Sequence, residues 1–196
     1  MDERMKGILE NIDKLQEELE QIFDERRDKL EYDIREGKAR FAQEVKRRHK
    51  QLKVGLFAYL KDADLLSVLT SPFIYMNIIP FALIDLTVSL YQMVCFPVYG
   101  IPKVKRSRYI RLDRHRLAYL NVIEKLNCAY CGYCNGVLGF VREVSARTET
   151  YWCPIKHSGR VRGAHPRYRG FTEYGDPDEY RERLAELRDR VRNLKD

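Results

Sequence analysis

The sequence predicts an all-α protein anchored in a membrane, and three observations carry that prediction. One is an apolar block: Leu65–Pro102, 38 residues, contains a single charged side chain, Asp85. Another is the segregation of charge around it. Residues 1–36 carry net −6, residues 37–64 net +5 and residues 103–196 net +9. The third is helical periodicity in the flanking arms, where apolar residues recur every three or four positions. The mean hydropathy of −0.51 looks soluble only because it averages the block with charged arms. A pI near 9.1 raises nucleic acid as a partner, but no RNA- or DNA-binding motif accompanies it. Basic surface on both sides of an apolar block favours anionic membrane lipids instead. The elements fall into four parts: residues 1–53, 54–102, 103–175 and 176–196.

In residues 1–53, Met5, Ile8, Ile12, Leu15, Leu19 and Ile22 alternate at spacings of three and four. That period predicts a long amphipathic helix, with a self-associating coiled coil as the sharper expectation and packing on its own protein as the plainer one. The spacing breaks near Arg26–Lys29 and resumes with Leu30, Ile34, Phe41, Val45 and Leu52, which predicts a stutter or bend. The start, MDERMKGILENIDKL, has no basic segment followed by an apolar one, so no cleavable signal peptide is expected.

A bilayer crossing takes roughly 20 apolar residues, so within the part 54–102 the 38-residue apolar block Leu65–Pro102 falls slightly short of two full crossings and a turn. Pro80 divides it. Three geometries compete: a single span centred on Phe81–Tyr99, a membrane-embedded helical hairpin turning near Asn77–Pro80, and a buried hairpin of a soluble protein. Clusters of Lys and Arg on both flanks favour the membrane hairpin, because positive flanks stay in the cytoplasm. Asp85, as an intramembrane polar residue, reads either as an ion site or interhelical lock, or as a helix cap after Pro80 or a partner of Asn77.

Residues 103–175 form a basic, cysteine-rich part. Of five cysteines, Cys128, Cys131, Cys134 and Cys153 lie within 26 residues, and Cys95 sits in the apolar block as a small apolar residue. An odd count and tight spacing predict thiols rather than disulfides. Ahead of them, Leu117, Leu120, Ile123 and Leu126 share a helical face. Cys128-Ala-Tyr-Cys131-Gly has the shape of a zinc knuckle, and Cys153 with His157 supplies a second pair. These four are the candidate metal site, with Cys134 and His165 as alternative ligands. Zinc is the expected cofactor, with an iron–sulfur cluster as the alternative. The site carries a geometric condition. Val137, Val141, Val144, Thr148 and Tyr151 share a helical face, and an unbroken helix from Asn135 to Trp152, about 27 Å long, would hold its halves apart. A break at Gly139 or in Thr148–Thr150 is therefore required. Arg106, Arg108, Arg160, Arg162, Arg167 and Arg169 are candidate anion- or lipid-binding residues, against a plain solvated loop.

The strings LNCAYCGYCNG, YWCPIKH and RVRGAH, with SPFIYMNIIPFALIDL and CFPVYGIPKVKR, resemble a family of bacterial membrane proteins without an established activity, over roughly residues 70–175. The resemblance implies a bacterial inner-membrane setting and no chemistry.

In residues 176–196, Asp176-Pro177-Asp178-Glu179 is a helix start: N-cap, Pro at the first helical position, acids in the first turn. Tyr180, Leu184, Leu187, Val191 and Leu194 then predict an amphipathic helix packing within its own chain. The functional expectation is a membrane-anchored, self-associating structural or adaptor protein, both termini cytoplasmic, with a structural zinc staple and a possible larger membrane complex as partner. A redox or metal-handling accessory is the alternative and a lipid-modifying enzyme the third. No nucleophile–His–acid grouping, Walker loop or HExxH motif supports catalysis.

Overall fold

The computed structural model describes residues 3–28, 32–35, 38–41 and 43–194. The chain is predominantly helical. Helix α1 spans Glu3–Asp28. A short antiparallel pair follows, β1 (Tyr32–Arg35) and β2 (Lys38–Phe41), in the register Tyr32↔Phe41, Ile34↔Ala39. The remaining helices are α2 (Gln43–Gln51), α3 (Leu56–Lys61), α4 (Leu65–Met76), α5 (Ile78–Tyr99), α6 (Val122–Trp152) and α7 (Pro177–Arg192). The strand pair corrects the expectation of helix through residues 30–41. YDIR and KARF alternate apolar and polar residues, which is the period of a strand and not of a helix.

The expected turn at Asn77–Pro80 is absent. Asn77 has helical dihedrals, φ −65° and ψ −11°, and the Phe81 N–H reaches the Asn77 carbonyl at 3.3 Å. The block is one apolar rod, Leu65–Tyr99, 35 residues long and about 52 Å in length at 1.5 Å per residue. Pro80 is the third residue of α5, within the first turn, where a missing N–H costs little. It therefore tightens the junction without reversing the chain. In place of the expected hairpin there is a single helix, long and apolar enough to cross a membrane. At its far end Gly100 adopts φ 71°, where a side chain would be strained. Ile101 N–H then bonds the Phe96 carbonyl at 2.9 Å and Gly100 N–H the Pro97 carbonyl at 3.3 Å, the paired bonds of a Schellman stop.

From Ile101 to Asn121 the chain runs back beside the rod as an extended strap with two 3-10 turns, Arg106–Arg108 and Arg114–Arg116. Helix α6 then runs parallel to α5. It begins at Val122, later than the run RLAYLN suggested, because Asn121 and Glu124 form a capping box: Asn121 Oδ1 accepts the Glu124 N–H at 3.0 Å, and Glu124 Oε2 accepts the Asn121 N–H at 2.7 Å. α6 is unbroken for 31 residues. Its glycines do not break it. They seat the strap. A Cβ on Gly136 would lie 2.8 Å from both Ile110 Cα and the Tyr109 carbonyl oxygen, and one on Gly132 would lie 3.3 Å from the Arg111 carbonyl oxygen.

The core is small: Phe96, Ile101, Val104, Phe140, Val144 and Val191, from α5, the strap, α6 and α7. Asp176 caps α7 by accepting the Glu179 N–H at 2.9 Å. Leu187 and Val191 are buried, so α7 packs within the chain as its seam suggested.

Gly136→Ala places a methyl group against strap backbone. The expected outcome is a loss of about 1–3 kcal/mol in denaturant unfolding, with faster tryptic cleavage between Arg106 and Arg116. Gly159→Ala, where nothing lies within 4 Å, should change neither.

Candidate functional site

The chemistry-bearing residues gather along the strap, where a polar stripe of the rod meets it. Asp85 and Gln92 lie two turns apart on α5 and are both buried. The Gln92 side-chain amide clamps the strap backbone: its Oε1 accepts the Val104 N–H at 2.9 Å and its Nε2 donates to the Val104 carbonyl at 3.4 Å. Asp85 holds the next turn. Arg106 Nε donates to Asp85 Oδ1 at 2.9 Å and Nη2 to Oδ2 at 2.5 Å, a two-pronged charged pair. Tyr133 of α6 donates to Asp85 Oδ2 at 3.0 Å. Desolvation first, and the Asp85 bond second, push the Tyr133 phenol above its ordinary range, so it stays a donor at neutral pH. The bond to Asp85 likewise raises Arg106. Asp85 is thus an interhelical lock. It caps nothing, and its partner is not Asn77, whose side chain donates to the Phe73 carbonyl.

Tyrosines continue the seam between rod and α6. Tyr130 donates to the Ile74 carbonyl at 2.6 Å, Tyr75 bonds Asn127, and Tyr91 meets Thr148 at 3.0 Å. Where α5 and α6 end, Tyr99 stacks on Tyr151 with centroids 5.3 Å apart, and Trp152 meets both edge-on. Arg188 and Arg192 lie over the Tyr151 ring. Gln92 and these tyrosines were missed in the sequence. The signal was there in the seven-residue spacing from Asp85 to Gln92, a polar stripe in an apolar helix.

The cysteine site is not assembled. Among the described residues no group of three or more His, Cys, Asp or Glu side chains is placed to hold a metal ion. Cys128, Cys131 and Cys134 ride on α6 with no knuckle turn, and Cys153 follows at its far end, 22 residues and about 33 Å from Cys131. Zinc holds each thiolate at about 2.3 Å, so this arrangement does not fit the ion. The required helix break does not occur. Burial raises the Cys134 thiol, and partial desolvation, with Glu149 second, raises Cys153, although the latter residue is exposed. His157 stacks on Tyr168, and His165 Nε2 pairs with Glu149 Oε2 at 2.8 Å.

The six candidate arginines divide. Arg106 is committed to Asp85, and Arg167 Nη2 to Glu143 Oε1 at 2.6 Å. Arg108, Arg160, Arg162 and Arg169 are exposed. The loop carrying Arg160 and Arg162 is closed at its base by Thr172 N–H to the Pro154 carbonyl at 2.9 Å and Lys156 N–H to the Thr172 carbonyl at 2.8 Å. Arg142 Nη2 reaches back from α6 to the Gly163 and Ala164 carbonyls.

Asp85→Asn leaves Arg106 beside a neutral amide, and a loss of about 1–3 kcal/mol is expected in unfolding experiments, less than for a fully buried pair because Arg106 is solvent-accessible. The double variant Asp85→Leu with Arg106→Met should recover part of that loss. In maleimide labelling of the native protein, Cys131 should react early and Cys134 last, and added zinc should leave the Cys131 rate unchanged.

No family model, no curated protein and no solved structure matches the chain.

Proposed function

We propose that this protein is a structural or adaptor protein that lies along an anionic membrane leaflet, its apolar rod in the interface and both arms on one side. The setting proposed is the cytoplasmic face of a bacterial inner membrane. The carrying observation is the rod itself. It is long and apolar enough to cross a membrane, and only 6% of its most apolar window is covered by the rest of the chain. Leu83, Leu86, Met93, Val94 and Val98 are all exposed.

The strap argues for lying along the leaflet. Lys103, Arg111 and Arg114 run back beside the rod, on a strap pinned there by the contacts of Gln92 and Asp85. A rod of about 52 Å exceeds the roughly 30 Å hydrocarbon layer, and a perpendicular crossing would carry strap bases toward its depth. Parallel to the surface, the same bases meet headgroups, each contributing about 1 kcal/mol on an anionic leaflet. The tyrosine and tryptophan cluster at the rod's end suits that depth. A second reading, a helix crossing the bilayer, is favoured by its length and composition.

Self-association belongs to the proposal through α1. Ile8, Leu15, Leu19 and Ile22 are 48–63% exposed, an apolar seam without cover. Structural zinc and the iron–sulfur accessory are left out of the proposal, because Cys128 and Cys131 lie on α6 while Cys153 and His157 follow its far end, and no grouped residues among those described support a lipid-modifying reaction.

Three measurements test this. On phosphatidylglycerol-containing vesicles, replacing Lys103, Arg111 and Arg114 together by Gln should weaken binding by about 3 kcal/mol, roughly 100-fold, while phosphatidylcholine vesicles show little difference. Trypsin outside reconstituted vesicles should cut both near Lys50 and near Arg111. Protection of one cluster alone would establish the crossing helix instead. Leu15→Asp with Leu19→Asp should lower the native mass in detergent, and a monomeric parent protein would sink the self-association.

A further inference from the structure

A cavity of about 660 Å³ opens between α6, the 3-10 turn Pro166–Gly170 and α7. Its volume is that of a small-molecule site. Its lining combines apolar side chains, Phe171, Leu187 and Val191, with the guanidinium groups of Arg147, Arg167 and Arg190 and the carboxylate of Glu143.

The charges are held in an order that suits an oxyanion. Arg147 is 3% exposed, and its contacts include Nε to Glu143 Oε1 at 2.9 Å and Nη1 to the Pro102 carbonyl at 2.7 Å. Arg167 shares the same Glu143 oxygen, and its Nε is buried with no hydrogen-bond partner. A buried guanidinium N–H without an acceptor costs more than an ordinary lost hydrogen bond, so an acceptor arriving there is favoured. Arg190 is the exposed member: its side chain is 64% exposed and makes only a long pair with Glu186, at 3.9 Å. A buried guanidinium edge and a second, exposed guanidinium suit a tetrahedral anion, since guanidinium groups match phosphate oxygens two at a time.

We propose that this cavity binds a phosphate-bearing molecule, its phosphate between Arg167 and Arg190 and its apolar body against Phe171, Leu187 and Val191. No residue of the rod lines the cavity, so the site stands independently of the membrane proposal. The phosphate belongs either to a free small molecule or to the headgroup of a lipid drawn out of the bilayer.

Calorimetric titration of the full chain in detergent tests this with two probes, inorganic pyrophosphate and a short-chain phosphatidic acid below its micelle concentration. Saturable one-site binding of at least one probe is expected, weakened at least tenfold by Arg167→Gln with Arg190→Gln. Lys14→Gln with Arg26→Gln, exposed on α1, should leave it unchanged. Pyrophosphate binding identifies a free phosphate ligand; phosphatidic acid binding alone identifies the headgroup. Arg190→Gln by itself, at an exposed side chain, gives the readout if the double variant unfolds, and should weaken binding several-fold. No saturable binding of either probe, or equal loss in the α1 variant, overturns the proposal.

Discussion

The pairing of Asp85 with Arg106 is the constraint around which the molecule is arranged. A carboxylate in the middle of an apolar helix has to find a cation or lose its charge, and here the cation comes from 21 residues further along the chain. To bring it back, the chain must reverse at Gly100 and run antiparallel beside the helix it has just left. The reversal then dictates the next element. α6 starts near the rod's first half, runs parallel to it, and covers the strap with a groove of glycines. Gln92 and Tyr133 complete the arrangement, one holding strap backbone and the other the same carboxylate. The apolar core is correspondingly modest, and polar contacts set the register between elements.

How much of this was legible depends on the kind of signal. Hydropathy located the rod, and turn chemistry located the start of α7 at Asp176-Pro177. Both are local properties. The bend at Pro80 was misread because proline is ambiguous: it breaks a helix interior and fits a helix start equally well, and only the dihedrals of Asn77 decide. The glycines were misread for a related reason. Gly132 after Cys131 suggested a knuckle turn and Gly139 a break, but α6 is anchored by its Asn121–Glu124 box and stays straight, so the missing side chains serve close approach instead. That requirement comes from Tyr109 and Ile110, more than twenty residues away, and no local pattern contains it. The cysteine site failed on the condition already attached to it. Residues 137–151 hold a helical face, and that face held.

Asp85 itself was weighed fairly from sequence, as a lock or as a cap, but its partner could not be named. Arg106 lies in a run with Lys103, Lys105 and Arg108, any of which has the right charge. The clamp of Gln92 on Val104 chooses the register, and with it the arginine two residues on. The arginines of the later loop divide the same way: Arg167 turns inward because the Glu143 carboxylate waits on α6, whereas Arg160 and Arg162 lie beyond the pinned loop base.

The distance in sequence between the lock and its key has a consequence for biosynthesis. Asp85 leaves the ribosome before Arg106, and at 5–20 residues per second it does so by about 1–4 s. During that interval a nascent helix presents an unmatched acid to whatever surrounds it, water or lipid. Protonation, hydration or a passing cation must serve until the guanidinium emerges, and Tyr133 arrives later still. Until then the acid is ionised or protonated according to the medium around it, and pairing with the guanidinium fixes the ionised form.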